Sequence, residues 1–190
     1  MELDDSYILF KVDGNTLFKP FDCGDEDLND FLLNKSIEFT KEHLATTFVI
    51  ENSEITVAYY SIFNDSVNTQ QIEFASKTAF KRFLSDLVTH PKRHLKSYPA
   101  IKIGRLGVTN AIQRGGLGKM IVNSIIDLAI DTNENCACKI ITVDAYSQSL
   151  AFYEKLGFKY FSDKDAGNDT RQMYLNLTPI IVASLENPEN

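Results

Sequence analysis

The chain of 190 residues is poor in cysteine, with only Cys23, Cys136 and Cys138. An odd number excludes a fully paired framework, and Cys136 and Cys138 stand one residue apart, where bridge geometry is poor. A metal signature is missing as well. His43, His90 and His94 have no Cys-x-x-Cys companion and no second ligand pair at metal spacing, so no metal is expected. No apolar run approaches the roughly 20 residues of a membrane span, and Met1-Glu2-Leu3-Asp4-Asp5 is acidic where a secretory signal is basic. These absences point to a soluble cytoplasmic protein with no membrane partner. An excess of positive charge is also lacking. With 19 Lys+Arg against 26 Asp+Glu the net charge is −7, so any affinity for nucleic acid must come from a local patch.

What is present is globular usage: 44% hydrophobic and 24% charged residues exclude a disordered or low-complexity chain. The length fits one domain over 1–190, with a frayed tail from about 180 to 190. Tyr7 to Val12 is expected to open as a strand before the Asp13-Gly14-Asn15 turn. Asp25-Glu26-Asp27 would complement a helix dipole, and Leu28, Phe31 and Leu32 follow at helical spacing. Thr46 to Ile50 and Ile55 to Tyr60 read as a hairpin across Asn52-Ser53-Glu54. Residues 64 to 99 are the least regular, although Ala79, Phe80, Phe83, Leu84 and Leu87 have helical spacing that ends before Pro91. From Lys77 to Lys96 six basic residues face Asp86 alone, a local +5 that leaves −12 for the rest of the chain.

Ala100 to Val108 reads as a strand, and Leu117, Ile121, Ile125, Leu128 and Ala129 mark an amphipathic helix after a glycine turn. A second unit repeats this order: Lys139 to Val143 as strand, Ser147 to Leu156 as helix, and Gly157 as its stop, with closing strands at Phe158 to Phe161 and Met173 to Leu177. Strand, helix and strand at these lengths imply a βαβ crossover and an α/β or α+β sheet of mixed direction.

The turn itself, Gln113-Arg114-Gly115-Gly116-Leu117-Gly118-Lys119, is the most informative string. Glycines let a ligand approach the backbone, and amide N–H groups at a helix start form an anion site that suits a phosphate or pyrophosphate. A plain strand-to-helix turn is the bland alternative. Neither of the two familiar nucleotide loops fits. A Walker loop fails at Gln113 and Met120, and the dinucleotide fingerprint fails at Ile121.

Gln113, Gly116 and Gly118 do match the Gln/Arg-x-x-Gly-x-Gly/Ala motif of the GNAT acyltransferase superfamily. Val143-Asp144-Ala145 with Ala151 to Phe158, Ala-Phe-Tyr-Glu-Lys-Leu-Gly-Phe, resembles that family's late helix and its ending. The resemblance implies a mixed, mostly antiparallel sheet flanked by helices, with a splayed central parallel pair that holds acetyl-CoA as acetyl donor. Its pyrophosphate would lie on the amides of Arg114, Gly115, Gly116, Leu117, Gly118 and Lys119, with Gln113 heading the motif, and its pantetheine along Leu106, Gly107 and Val108. Tyr153 takes the position of the family's tyrosine that protonates the departing thiolate. A phenol of pKa about 10 stays protonated at neutral pH and is a competent donor, although tyrosines also pack readily in cores.

Many members carry a glutamate base on the strand before the turn, and Ala100 to Val108 has none. At pH 7 a lysine amine is neutral in roughly one molecule in 2,500, an α-amino group in roughly one in seven, so an α-amino acceptor needs no strong base. A narrower resemblance agrees. Phe21 to Leu32, Ala58 to Ser61, Tyr98 to Ala100, Gly104 to Val108 and Val143 to Ala145 are similar to the toxin-type GNAT enzymes of bacterial toxin–antitoxin pairs. Those acetylate the α-amino group of aminoacyl-tRNA, are neutralised by an adjacent antitoxin of ribbon-helix-helix type, and often form homodimers. Lys92, Arg93, Lys96 and Arg105 would then be candidates for RNA phosphate contacts. The acidic total departs from the basic habit of that subfamily. An ordinary GNAT enzyme acting on a small-molecule or protein amine, and a non-catalytic acyl-CoA-binding module, remain the alternatives.

Overall fold

A computed structural model describes residues 6–88 and 95–186. Thirteen elements follow one another among them: β1 (Ile8–Lys11), α1 (Glu26–Asp30), α2 (Ser36–Lys41), β2 (Thr46–Glu51), β3 (Thr56–Asn68), α3 (Lys77–Leu87), β4 (Ser97–Val108), α4 (Leu117–Thr132), β5 (Ile140–Tyr146), α5 (Leu150–Lys155), β6 (Lys159–Tyr160), β7 (Thr170–Asn176) and α6 (Thr178–Glu186). Their strands are hydrogen-bonded in the order β1-β2-β3-β4-β5-β7-β6. The sheet is mostly antiparallel, with β4 and β5 as its parallel pair, as expected for the fold class. No described helix is long and apolar enough to cross a membrane.

The chain divides into two compact units, Met1–Phe63 with Ile103–Ile125 and Asn64–Lys102 with Ile126–Asn190. In the first, the Asp25 carboxylate accepts from Leu28 N at 3.1 Å and caps α1. A π turn over Phe31–Lys35 then joins α1 to α2, and its extra residue shifts the apolar phase, which is why the helical spacing seen at Leu28, Phe31 and Leu32 does not carry on evenly. The π turn buries Phe31 and Leu32 in a core with Val12, Phe21, Cys23, Val49 and Tyr59. Burial of a large apolar side chain such as Leu32 is worth roughly 1.5–3 kcal/mol. The hairpin forms as expected. Asn52 Oδ1 accepts from Glu54 N and Ile55 N, and β2 pairs antiparallel with β3.

In the second unit α3 buries Phe83, Leu84 and Leu87 among Val67, Tyr98, Ala100, Ile140, Phe161 and Tyr174. β7 lies between β5 and β6, with Ile140 opposite Asn176 and Lys159 opposite Tyr174. Gly157, at φ +88°, closes α5 in the left-handed region, as its position after the helix suggests.

Several boundaries differ from the sequence expectation: β5 runs on to Tyr146, β7 begins at Thr170, and three further differences have a local cause. β3 runs on to Asn68, because Asn64, Asp65 and Ser66, residues depleted in strands, alternate here toward solvent before Val67 returns to the core. β4 begins at Ser97, ahead of Pro99, whose carbonyl accepts from Lys139 N at 2.9 Å and so joins the pairing without a donor. Residues 178–186 form α6, where a frayed tail was expected. Asn176 Oδ1 accepts from Thr178 N at 3.1 Å, and Pro179 suits the first turn, where its missing N–H costs nothing.

Within the first unit, a Cβ on Gly107 would stand 2.8 Å from Tyr59 Cε1 and 3.0 Å from Phe21 Cζ. Gly107→Val should therefore destabilise by about 1–3 kcal/mol, read as a lower midpoint in urea unfolding; an unchanged midpoint would mean that the rings give way at no cost.

Candidate active site

β4 ends at Val108, and the backbone then turns through Asn110–Ile112 into the glycine string. Long-range hydrogen bonds hold this corner. Thr109 N donates to Val57 O at 2.9 Å, Asn110 N to Asp22 O at 3.0 Å, and Thr109 Oγ1 also to Asp22 O at 3.1 Å. The two hydrogens of the Gln113 amide have acceptors in Cys23 O at 2.9 Å and Val108 O at 3.0 Å. Gln113 is thus a brace that ties the loop to the segment before α1. The Asp22 carboxylate accepts from Gly24 N at 2.8 Å, and this bond, then one from the Asn29 amide, holds it below the usual carboxylate range. The sequence reading missed this brace; its local signal was the Asp22-Cys23-Gly24 turn followed by Asn29.

The braced loop has two residues in the left-handed region, Arg114 at φ +66° and Gly116 at φ +90°. Gly115 N bonds to Ile112 O, and the first i to i−4 bond of α4 is Met120 N to Gly116 O at 3.1 Å. The amides of Leu117, Gly118 and Lys119 precede it and carry the partial positive charge of a 16-residue helix. Leu117 is buried, whereas Gln113 to Gly116 and Lys119 are exposed, and nothing lies within 4 Å of a Cβ placed on Gly116. The corner therefore offers successive N–H donors and two exposed cations, Arg114 and Lys119, an arrangement fit for a pyrophosphate. Leu106 and Val108 are half-buried and Gly107 is buried on the strand that leads to it.

Tyr153 belongs to the second unit. It is 6% exposed on α5, with Phe152 and Phe158 meeting its ring edge-on at 5.0 and 5.2 Å. Its carbonyl accepts from Leu156 N and Phe158 N, which fixes the helix end. Burial alone pushes the phenol well above its ordinary value, and its hydroxyl bonds to no described residue. A neutral donor without an acceptor among the described residues results.

The RNA candidates differ among themselves. Lys96 is exposed. Arg105 is half-buried, with its guanidinium 5.2 Å from the Phe31 ring centroid, Nη1 donating to Gly104 O at 2.8 Å, and Nε enclosed without a partner among the described residues. Its guanidinium packs on the protein while the residue keeps part of its surface in solvent. Lys92 and Arg93 lie outside the described residues. Among the described residues no three His, Cys, Asp or Glu side chains are grouped as metal ligands would be.

A mixed sheet with a parallel pair at its centre, and a braced glycine turn that opens a long helix, defines an acyltransferase class of fold and site. The profile of the acetyltransferase (GNAT) family matches residues 22–158, and the chain belongs to that family. Among solved structures it is similar to one described as a bacterial toxin, with 16% identity and a TM-score of 0.77 over 95% of this chain and 96% of that one. AtaTR bound with AcCoA aligns at 18% identity and a TM-score of 0.72, covering 94% and 98% of the two chains. AtaT complexed with acetyl-methionyl-tRNAfMet aligns at 17% identity and a TM-score of 0.72, covering 93% and 98%. These alignments place nearly the whole chain on one shared fold.

The raised phenol makes a stability prediction. Above about pH 10 the unfolded chain ionises this tyrosine while the folded chain keeps its proton, so folding stability falls with rising pH at about 1.4 kcal/mol per pH unit for each such group. Tyr174, raised by burial and then by Asp86, adds a second. Tyr153→Phe should remove one proton's share of the slope in denaturant titrations between about pH 10 and 11; an identical slope would show that the phenol ionises in the folded state as it does in water.

Proposed function

We propose that this acetyltransferase moves the acetyl group of acetyl-CoA to the α-amino group of an aminoacyl-tRNA, and so acts as a translation-blocking toxin in the cytoplasm. The observation that carries the reading is the braced corner after β4. Its left-handed Arg114 and Gly116 turn the first amides of α4 outward, and the segment from Arg114 to Lys119 would bind the pyrophosphate. Leu106, Gly107 and Val108 would guide the pantetheine arm, with Gln113 keeping the corner closed. Acetyl-CoA supplies the acyl group as a thioester. Tyr153 donates to the sulfur as the C–S bond breaks, and it is reprotonated by the proton that the acceptor amine loses on forming the N–C bond.

The acceptor follows from what β4 lacks. No carboxylate stands on the strand from Ala100 to Val108, which favours an amine already partly neutral at physiological pH, as an aminoacyl ester's is. AtaT in complex with acetyl-methionyl-tRNAfMet, and bound to the antitoxin AtaR, supports the same substrate and the same kind of protein partner. The chain is expected to work as one domain, to pair with a second copy, and to be neutralised by a ribbon-helix-helix antitoxin encoded beside it.

Purified protein should transfer labelled acetyl from acetyl-CoA to charged tRNA. Tyr153→Phe should lower kcat by about 10²-fold or more with the acetyl-CoA KM within about twofold, and should relieve growth arrest on expression. Near-normal turnover of the variant would reject the role of Tyr153. Transfer to a small amine or a protein amine with none to charged tRNA would reject the acceptor.

A further inference from the structure

Within the first unit, the end of β1 and the turn from α2 into β2 enclose a cavity of about 490 Å³ to which acetyl transfer itself gives no role. Its polar lining comes from Lys11, Asp13, Thr40, Lys41, His43 and Thr46, and among the described residues no Phe, Tyr, Leu or Met lines it. Both lysines are exposed, and neither is ion-paired among the described residues. Lys41 lies across the turn after β1. A Cβ on Gly14 would stand 3.0 Å from its Cε, so the missing side chain makes room for the lysine stem. Asp13 Oδ1 accepts from Asn15 N and from Thr16 Oγ1, each at 2.9 Å, and these bonds hold its carboxyl below the usual range, so it counts as one negative charge. His43 takes the left-handed conformation at φ +58° where the chain leaves α2, with its N bonded to Thr40 O at 3.2 Å. Its imidazole offers a ring N–H in either tautomer. Thr40 Oγ1 donates to Ser36 O at 2.9 Å and keeps its lone pairs for a donor.

The cavity is separate from the glycine corner. β2 begins beside it at Thr46 and ends at Glu51, which pairs with Thr56, the neighbour of the Val57 whose carbonyl receives Thr109 N. The length of that six-residue strand puts roughly 17 Å between cavity and corner. Two lysines against Asp13 leave the lining at a net +1, not counting His43. A phosphodiester matches this with one negative charge, whereas a phosphomonoester carries about 1.5 to 2 at neutral pH. An acidic peptide would need a large apolar or aromatic anchor for affinity, and the lining offers none. We propose that the cavity holds a backbone phosphodiester of the acceptor RNA, its oxygens on Lys11, Lys41 and the His43 N–H, with the adjoining ribose 2′-hydroxyl donating to Thr40 Oγ1. The inference rests on the reading of aminoacyl-tRNA as acceptor and gives that RNA a point of contact at the far end of β2 from the cofactor corner.

The test is binding of fluorescently labelled deacylated tRNA, followed by anisotropy across salt concentrations. The double variant Lys11→Gln, Lys41→Gln should weaken binding about fivefold at about 0.1 M salt and flatten the plot of log affinity against log salt by about 1, the share of one phosphate. Both side chains are exposed, so the melting temperature should hold. Should it fall, His43→Gly takes its place, since glycine suits the left-handed backbone, and should weaken binding about threefold through the lost hydrogen bond. The control Lys159→Gln, Lys164→Gln removes the same charge from the second unit, where both lysines are paired, and should leave affinity and slope unchanged. Equal losses in the control, or unchanged affinity and slope in Lys11→Gln, Lys41→Gln, would overturn the contact. Release of the tRNA by inorganic phosphate, beyond that caused by chloride of equal ionic strength, would assign the cavity to free phosphate and overturn the diester. Acetyl transfer separates the two readings. With charged tRNA the lysine variant should raise the tRNA KM about fivefold at constant kcat. A KM that does not move overturns the contact alone, whereas no transfer to charged tRNA by the unaltered chain overturns the acceptor assignment and the contact with it.

Discussion

The first unit is organised around Tyr59. This β3 side chain is fully buried, and its hydroxyl donates to Leu28 O at 2.8 Å, which ties the strand to α1. Phe21 meets its ring edge-on at 5.4 Å and Phe31 stacks on it at 6.3 Å. The ring fills the space that a side chain at position 107 would need, so β4 comes this close only because Gly107 has none. Phe31 in turn receives the Arg105 guanidinium. A single tyrosine therefore sets the distance between the helical layer and the strand that leads into the glycine corner, and it does so by packing and a partly buried hydrogen bond. The corner inherits that placement through Val57, Asp22 and Cys23, whose carbonyls receive Thr109, Asn110 and Gln113. Displacing Tyr59 would disturb the glycine corner without touching any residue in it.

Charge acts locally in this molecule. The total of −7 argues against nucleic acid only if charges are felt at long range, and at physiological salt the Debye length is roughly 8 Å. Many of the acids are also occupied. Asp30 is bound by Lys35, Asp144 by Lys102, Asp165 by Arg171, and Asp86 by Lys159. Each such pair adds little to stability at an exposed site, but it holds a carboxylate near its own cation, so that carboxylate does not offset lysines elsewhere. Lys77, Lys81 and Arg82 on α3 thus keep their local field although the chain as a whole is acidic.

The parts legible in the sequence are those whose determinants are local. α4 and α5 announced themselves by apolar spacing and by Gly157, the β2–β3 hairpin by Asn52-Ser53-Glu54, and the anion corner by its glycines. Tyr153 stood out through the string from Ala151 to Phe158, which resembles the late helix of the family and also carries its ring partners Phe152 and Phe158. The π turn at Phe31–Lys35 left no local mark beyond a lost period, and β3 and β4 were cut short because Asn64, Asp65 and Pro99 disfavour strands unless paired strands override them. α6 was missed although Thr178 and Pro179 are ordinary starting residues, since its apolar run reads as well for a tail. The brace of the corner joins residues about 90 apart and shows locally only as the Asp22-Cys23-Gly24 turn followed by Asn29, whereas the turn of Arg105 onto Phe31 joins residues 74 apart and has no trace in local spacing.

The environment of Tyr153 separates packing from chemistry. Its ring is held by the edges of Phe152 and Phe158, and its backbone by the bonds that close α5. None of these interactions involves the hydroxyl, so the orientation of the ring does not depend on it. Phe at this position would fill nearly the same volume and keep the same ring contacts, so whatever sets Tyr apart from Phe here lies in the hydroxyl alone. Under the proposed acetyl transfer that hydroxyl, kept neutral by the burial of the ring, would serve as the donor to the leaving thiolate.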